Sequence, residues 1–180
     1  MIRAFLGLPL PDPLIHVLTV AQHRLRLARP IPPENLHVTL AFLGEQPEPV
    51  LEELHHALVA RPLPAVVVQV TGLGVFGGDK PRSLHATLSP DPGLEALQGR
   101  VAAAVRAVGL GLERRRFVPH VTLARFRPGE TSAPALAAML GAHGPLVSEP
   151  VEVGEMILYR STLRRDGSVY DPLAEYPLTV

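Results

Sequence analysis

Two identical pentapeptides, His37-Val38-Thr39-Leu40-Ala41 and His120-Val121-Thr122-Leu123-Ala124, stand 83 positions apart in a chain of 180 residues. In a strand, alternate side chains share a face and lie about 6.6 Å apart along the chain. Each motif therefore offers one imidazole and one hydroxyl to the same side, with Val38, Leu40, Val121 and Leu123 turned into a core behind the sheet. Two imidazoles facing one cleft near neutral pH form a general base opposite a general acid. In-line displacement at phosphorus asks for that arrangement, because a proton is removed on one side of the centre and delivered on the other. Thr39, Thr122 and nearby arginines would hold the non-bridging oxygens and the developing charge. No group of carboxylates stands beside the motifs to bind magnesium, so no metal or other cofactor is expected. A 2′,3′-cyclic phosphate suits a metal-free reaction, since its strained ring carries its own leaving group.

Other residues invite the same question. Phe42 and Arg125 each lie five positions beyond a motif histidine, and a flat ring and a planar guanidinium both suit a nucleobase. The odd offset puts them on the face opposite the histidines in a regular strand, so they reach the cleft only through a bulge or at the strand end. His85-Ala86-Thr87-Leu88 is a third His-x-Thr, without a counterpart in the first half, and reads as a sheet-face histidine. His55 and His56 are helical neighbours that cannot share a face, and His16, His23 and His143 read as surface residues. Arg114-Arg115-Arg116, before the second motif, reads as a solvated loop, with steering of RNA as the competing reading.

The elements that must position the motifs repeat. Ile2 to Leu8 suits a strand, and Asp12-Pro13 opens a helix expected to reach Ala28, with the aspartate as N-cap. A strand over 36–43, a helix over 47–60 and a valine-rich strand over 66–73 follow. The second half begins again with a strand over 82–88 and a helix from Asp91-Pro92 to about Val108. A strand over 117–126, a helix over 132–140, a strand over 151–161 and an edge strand over 170–180 complete it. The order predicts an α+β fold in one domain, 1–180, with approximate repeats 1–78 and 79–180. Two antiparallel sheets with flanking helices are expected, related by a pseudo-twofold, with the active-site cleft between two lobes.

Composition excludes much else. Seventeen basic residues balance seventeen acidic ones, and the mean hydropathy is +0.21, unlike a disordered chain. The absence of cysteine excludes a disulfide scaffold, a thiolate zinc site and a cysteine nucleophile. Arg61, Arg82 and Arg106 interrupt the longest apolar stretches, so no membrane span is expected. The apolar start is cut short by Pro9, Pro11 and Pro13, and reads as the first strand of a cytoplasmic protein.

Leu36-His37-Val38-Thr39-Leu40-Ala41-Phe42-Leu43-Gly44-Glu45 and Phe117-Val118-Pro119-His120-Val121-Thr122-Leu123-Ala124-Arg125 resemble the two signature segments of the 2H phosphoesterase superfamily. Within it, the closest resemblance is to the RNA 2′,3′-cyclic phosphodiesterases, also called 2′-5′ RNA ligases. It covers nearly the whole chain, including the tail Leu158-Tyr159-Arg160-Ser161 with Gly167, Tyr170 and Leu173. The resemblance implies a bilobal fold with both His-x-Thr motifs facing a central cleft. It implies metal-free opening of RNA 2′,3′-cyclic phosphates to 2′-phosphomonoesters, with reversible, ATP-independent 2′-5′ joining of tRNA halves in some members. By that similarity His37 would be the proton donor, His120 the proton acceptor, and Thr39 and Thr122 the phosphate-binding residues. The partners implied are RNA with 2′,3′-cyclic phosphate ends or nucleoside 2′,3′-cyclic phosphates, with no obligate protein partner. His85 departs from the aromatic residue usual at its place. An RNA-end-binding module with incidental or no turnover is the competing expectation.

Overall fold

The computed structural model describes residues 1–112, 116–165 and 167–179. Among these, nine strands and four α-helices follow the repeat: β1 Ile2–Pro9, α1 Asp12–Arg24, β2 His37–Gln46, α2 Glu48–Val59, β3 Val66–Val68, β4 Val70–Phe76, β5 Ser83–Leu88, α3 Pro92–Ala107, β6 His120–Arg125, α4 Ala133–His143, β7 Val151–Val153, β8 Glu155–Arg164 and β9 Gly167–Pro177. Two antiparallel sheets result, one of seven strands in the order β4-β5-β6-β2-β1-β8-β9 and one of two, β3-β7.

The sheets are divided differently from the halves of the repeat. Strands β4-β5-β6 and β2-β1-β8-β9 meet in one sheet, and among the described residues only one pair, Val38 opposite Val121, joins them. That pair consists of the central valines of the two pentapeptides, so the pseudo-twofold passes through it. The expected strands over 66–73 and 151–161 are each broken near one end. Val66–Val68 and Val151–Val153 leave the main sheet and pair with each other. Gln69 and Ser148 hold the break: Gln69 Nε2 donates to Ser148 O at 3.0 Å, and Ser148 Oγ accepts from Val70 N at 3.0 Å.

Helix starts and stops follow local chemistry, with two departures from expectation. Asp91 caps α3 by accepting from Leu94 N at 2.7 Å, and Ser132 caps α4 through Ala135 N. Asp12, by contrast, is the first residue of α1 and makes no cap; Pro11 precedes it in extended conformation. Helix α1 also ends at Arg24, four residues early, because Arg26 turns into the left-handed region with φ of 50°.

Leu6, Leu8, Val38, Leu40, Ala41, Val121 and Leu123 point to one face of the sheet. There they are buried with Leu14 and Leu18 of α1, Leu54 and Leu58 of α2, and Leu94, Leu97 and Val101 of α3. The opposite face carries the motif side chains. No helix of the described residues is long and apolar enough to cross a membrane.

Candidate active site

Alternation along β2 and β6 sorts the motifs. Val38 and Val121 are wholly buried, while His37, Thr39, His120 and Thr122 are half-buried on the other face. The Val38–Val121 register sets His37 across from Thr122 and Thr39 across from His120. All four side chains predicted to do chemistry thus meet at the junction between the halves.

Both imidazoles are held the same way. His37 Nδ1 lies 2.7 Å from Asn35 O, and His120 Nδ1 lies 2.7 Å from Val118 O, the carbonyl two residues upstream in each case. A carbonyl only accepts, so each Nδ1 carries the proton and each Nε2 is left for the cleft. His37 Nε2 lies 2.9 Å from Thr39 Oγ1, whose hydroxyl donates to it in the neutral ring.

Two bulges decide where Phe42 and Arg125 go. Opposite β1, the register jumps from Thr39 to Ala41, leaving Leu40 unpaired. Opposite β5 it jumps from Thr122 to Ala124, leaving Leu123 unpaired. One extra residue reverses the alternation. Ala41 and Ala124 therefore join Leu40 and Leu123 in the core, and Phe42 and Arg125 turn to the histidine face. Phe42 is 44% exposed, with the Arg3 guanidinium 4.7 Å over one side of its ring. Arg125 is exposed and close enough for its charge to depress the pKa of both imidazoles.

Glutamines hold the bulges from behind. The amide of buried Gln22, on α1, donates to Ile31 O and to Leu123 O, both at 2.9 Å. Gln98, on α3, reaches Leu40 O at 3.5 Å. Each helix thus serves the bulge of the other half of the repeat.

The walls differ. His37 packs among Phe5, Tyr170 and Tyr159, with ring centroids at 4.8, 5.3 and 6.4 Å. His120 packs edge-on against Phe76 at 4.9 Å and His85 at 5.2 Å, and those two rings stack on each other at 4.0 Å. By register, His85 of β5 occupies the place of Gly7 in β1, since these residues pair with Thr122 and Thr39. Its ring lies over Gly74, where a Cβ would come within 2.5 Å of His85 Nε2. His85 is therefore a sheet-face histidine, 4% exposed and in contact with His120, with its Nδ1 buried and unpartnered among the described residues.

Burial is the main reason the His37 pKa falls to about 4; Arg125 and His120 add to it, and the bond to Asn35 opposes it. Burial also brings His85 down to about 4 and lowers His120. Tyr159 is pushed up to about 12, so its hydroxyl stays a donor. Phe5, Phe76, Asn35 and Gln22 are site-forming residues that spacing did not single out. The repeat contained a signal for one of them: Phe76 and Tyr159 hold equivalent register places, opposite Ser83 and Phe5. Of the other residues weighed, His16 and His23 are exposed, but His143 is half-buried with its Nε2 shielded and unpartnered among the described residues. Arg114 and Arg115 lie outside the described residues, and Arg116 is exposed.

A family model for the 2′-5′ RNA ligase superfamily matches residues 10–165. The chain belongs to that superfamily. It is 35% identical over 144 residues to the RNA 2′,3′-cyclic phosphodiesterase of Aeropyrum pernix, covering 79% of this chain and 81% of the relative. It is 31% identical over 188 residues to the RNA 2′,3′-cyclic phosphodiesterase of Thermus thermophilus, covering 98% and 90%. Among solved structures, a Thermus thermophilus protein superposes with a TM-score of 0.81 at 29% identity, covering 98% of this chain and 97% of that one. Escherichia coli LigT complexed with 3′-AMP superposes with a TM-score of 0.83 at 23% identity, covering 99% of both chains, and shows the shared superfamily fold.

Proposed function

We propose that this chain is an RNA 2′,3′-cyclic phosphodiesterase that opens cyclic phosphate ends to 2′-phosphomonoesters by two-histidine acid–base catalysis. The observation that carries the reading is the pairing of the two His-x-Thr motifs across one strand junction, each imidazole pinned through Nδ1 with its Nε2 turned to the cleft, that of His37 against the Thr39 hydroxyl. Membership of the superfamily and the names of the relatives support the activity.

His120 Nε2 takes a proton from water as the water oxygen bonds to phosphorus. The bond from phosphorus to the 3′ oxygen breaks on the opposite side, and His37 gives its Nε2 proton to that oxygen. Thr39 and Thr122 bind the non-bridging oxygens from hydroxyls set between the imidazoles. A nucleobase lies between the Phe42 ring and the Arg125 guanidinium, one from each half of the cleft. With an RNA 5′-hydroxyl in place of water, the same groups run 2′-5′ ligation.

The lowered His37 pKa fits this role once the substrate is counted. The free protein holds His37 neutral at pH 7, and the negative charge of a bound phosphodiester favours its protonation. The acid is therefore charged by the molecule on which it acts.

The test is incubation, in excess chelator, with an oligonucleotide ending in a 2′,3′-cyclic phosphate, the product being scored as 2′- or 3′-phosphate. Turnover to the 2′-phosphate, lost in His37→Ala and in His120→Ala, is expected. Retained affinity for the end without turnover would leave the RNA-end-binding module.

A further inference from the structure

Asn35, the single asparagine of the chain, closes a one-turn 3-10 helix over Pro33–Asn35, from which the chain enters β2. Its backbone is fixed by that turn, where Asn35 N donates to Pro32 O at 2.9 Å and Leu36 N to Pro33 O at 3.2 Å. Its carbonyl accepts the Nδ1 proton of His37 at 2.7 Å. Its side chain reaches a third element: Asn35 Nδ2 donates to Ser168 O, 2.6 Å away in β9 and 133 positions on in the chain.

Strand β9 forms the outer wall of the His37 site. Its Tyr170 ring stands edge-on to His37 at 5.3 Å and to Phe5 at 4.9 Å, and β9 pairs along its length with β8, which carries Tyr159. One residue thus joins the imidazole's hydrogen-bond acceptor to the strand whose aromatic ring packs against that imidazole. The equivalent residue in the second half is Val118. It offers the same carbonyl to His120 at 2.7 Å, but its side chain is 47% exposed and, being apolar, can form no such tether.

We propose that Asn35 is a positioning residue, fixing the tautomer and orientation of His37 through the tether from its amide to the Ser168 carbonyl. Without the tether the carbonyl remains, because it belongs to the backbone, but the turn carrying it is uncoupled from β9. The His37 ring then divides between orientations, and its Nε2 is no longer held toward Thr39 and the cleft. The catalytic consequence rests on His37 as proton donor; the positional one does not, and it is read without substrate.

The experiment compares Asn35→Ala and Asn35→Ser with the parent and with Val59→Ala, using the full chain labelled with ¹⁵N-histidine. The serine hydroxyl is too short to reach Ser168 and serves if the alanine variant folds poorly. In the parent, His37 is expected as the single Nδ1–H tautomer above pH 6. In the Asn35 variants its ring nitrogens should move toward the averaged shifts of mixed tautomers, while those of His120 stay in place. Turnover of a cyclic-phosphate oligonucleotide should fall by about tenfold or more in kcat, with KM within about twofold. Val59→Ala, at an exposed position on α2 away from the cleft, should leave both histidine signals and kcat near the parent's. An unchanged His37 tautomer in either folded Asn35 variant would overturn the proposal. A shifted tautomer with unchanged kcat would uphold the positioning and overturn the assignment of His37 as the acid.

Discussion

His37 sits among three aromatic rings, bonded at Nε2 to Thr39 and backed by a tethered turn. His120, at the symmetry-related place, sits beside a Phe76–His85 stack, and its Nε2 has no side-chain partner among the described residues. The two pentapeptides are identical, so the difference comes entirely from what surrounds them. An acid must keep its proton aimed at a single leaving oxygen, and the closely held ring suits that task. A base must receive a proton from mobile water, and an unengaged Nε2 suits that one. In the proposed mechanism the two copies of His-x-Thr serve as acid and base, and the linings separate their roles.

A change of leaving group separates the two histidines most strongly. On a cyclic-phosphate end, His37→Ala and His120→Ala should each lose about 10²- to 10⁴-fold in kcat. On a phosphodiester whose leaving group departs as a stable anion, such as a nitrophenolate, His37→Ala should recover most of its loss while His120→Ala recovers little. Recovery in the His120 variant instead would reverse the two roles.

Next in size is the pH dependence. Burial lowers the pKa of both imidazoles, that of His37 to about 4, so both are neutral in the free protein above their ordinary value of 6.5. kcat/KM, which reports the free protein, should therefore already be declining by pH 6.5 and keep falling above it. The bound phosphodiester raises the His37 pKa, so kcat should hold to higher pH than kcat/KM does. Superimposable profiles would show that the substrate charge does not reach His37.

A smaller effect falls on stability. Gln22→Leu removes one buried and one part-buried hydrogen bond behind the β6 bulge, leaving Ile31 O without its side-chain donor and Leu123 O with the bond from Ile31 N at 2.8 Å. The expected loss is about 1–3 kcal/mol in urea unfolding. KM should also rise as Arg125 loses its place, with kcat less affected. A KM equal to the parent's would show that the bulge holds itself.

The smallest concerns the ring that separates the two linings. His85 has a folded pKa of about 4 against 6.5 when unfolded, so the unfolded chain binds its proton first and stability drains away as pH falls from 6.5 toward 4. His85→Phe keeps an aromatic ring on Phe76 and removes the titration. It should match the parent's stability at pH 8 and exceed it by on the order of 2 kcal/mol at pH 5. A constant offset at both pH values would assign the effect to packing.

Much of this site is legible in the sequence because it depends on local periodicity. His-x-Thr with apolar residues between is a two-residue alternation, and its recurrence at equivalent points of a repeat is visible without coordinates. The bulges are not legible: whether Leu40 and Leu123 are paired depends on β1, β5 and a glutamine from a distant helix. Without them Phe42 and Arg125 could be read only conditionally. The departure of Val66–Val68 and Val151–Val153 from the main sheet is equally non-local, since each short strand finds its partner more than 80 positions away. Asp12 and Asp91 look alike as helix starts, yet only Asp91 caps. That distinction lies in backbone angles one residue upstream, which Asp-Pro does not dictate.

The crossed support of the bulges has a consequence for how such a chain can be divided. Gln22 belongs to the first repeat and steadies the second; Gln98 belongs to the second and reaches into the first. Although the chain reads as a tandem duplication, its halves are not modules. A fragment ending near Gly78 would carry His37 and Phe42 on a strand whose bulge has lost its outside prop, and the remaining fragment would lack the amide behind Leu123. Mixed together, the fragments should regain the cleft only by reassembling around each other. Swinging one half away from the other would strain the same amide contacts, so the spacing between His37 and His120 is built in with the chain.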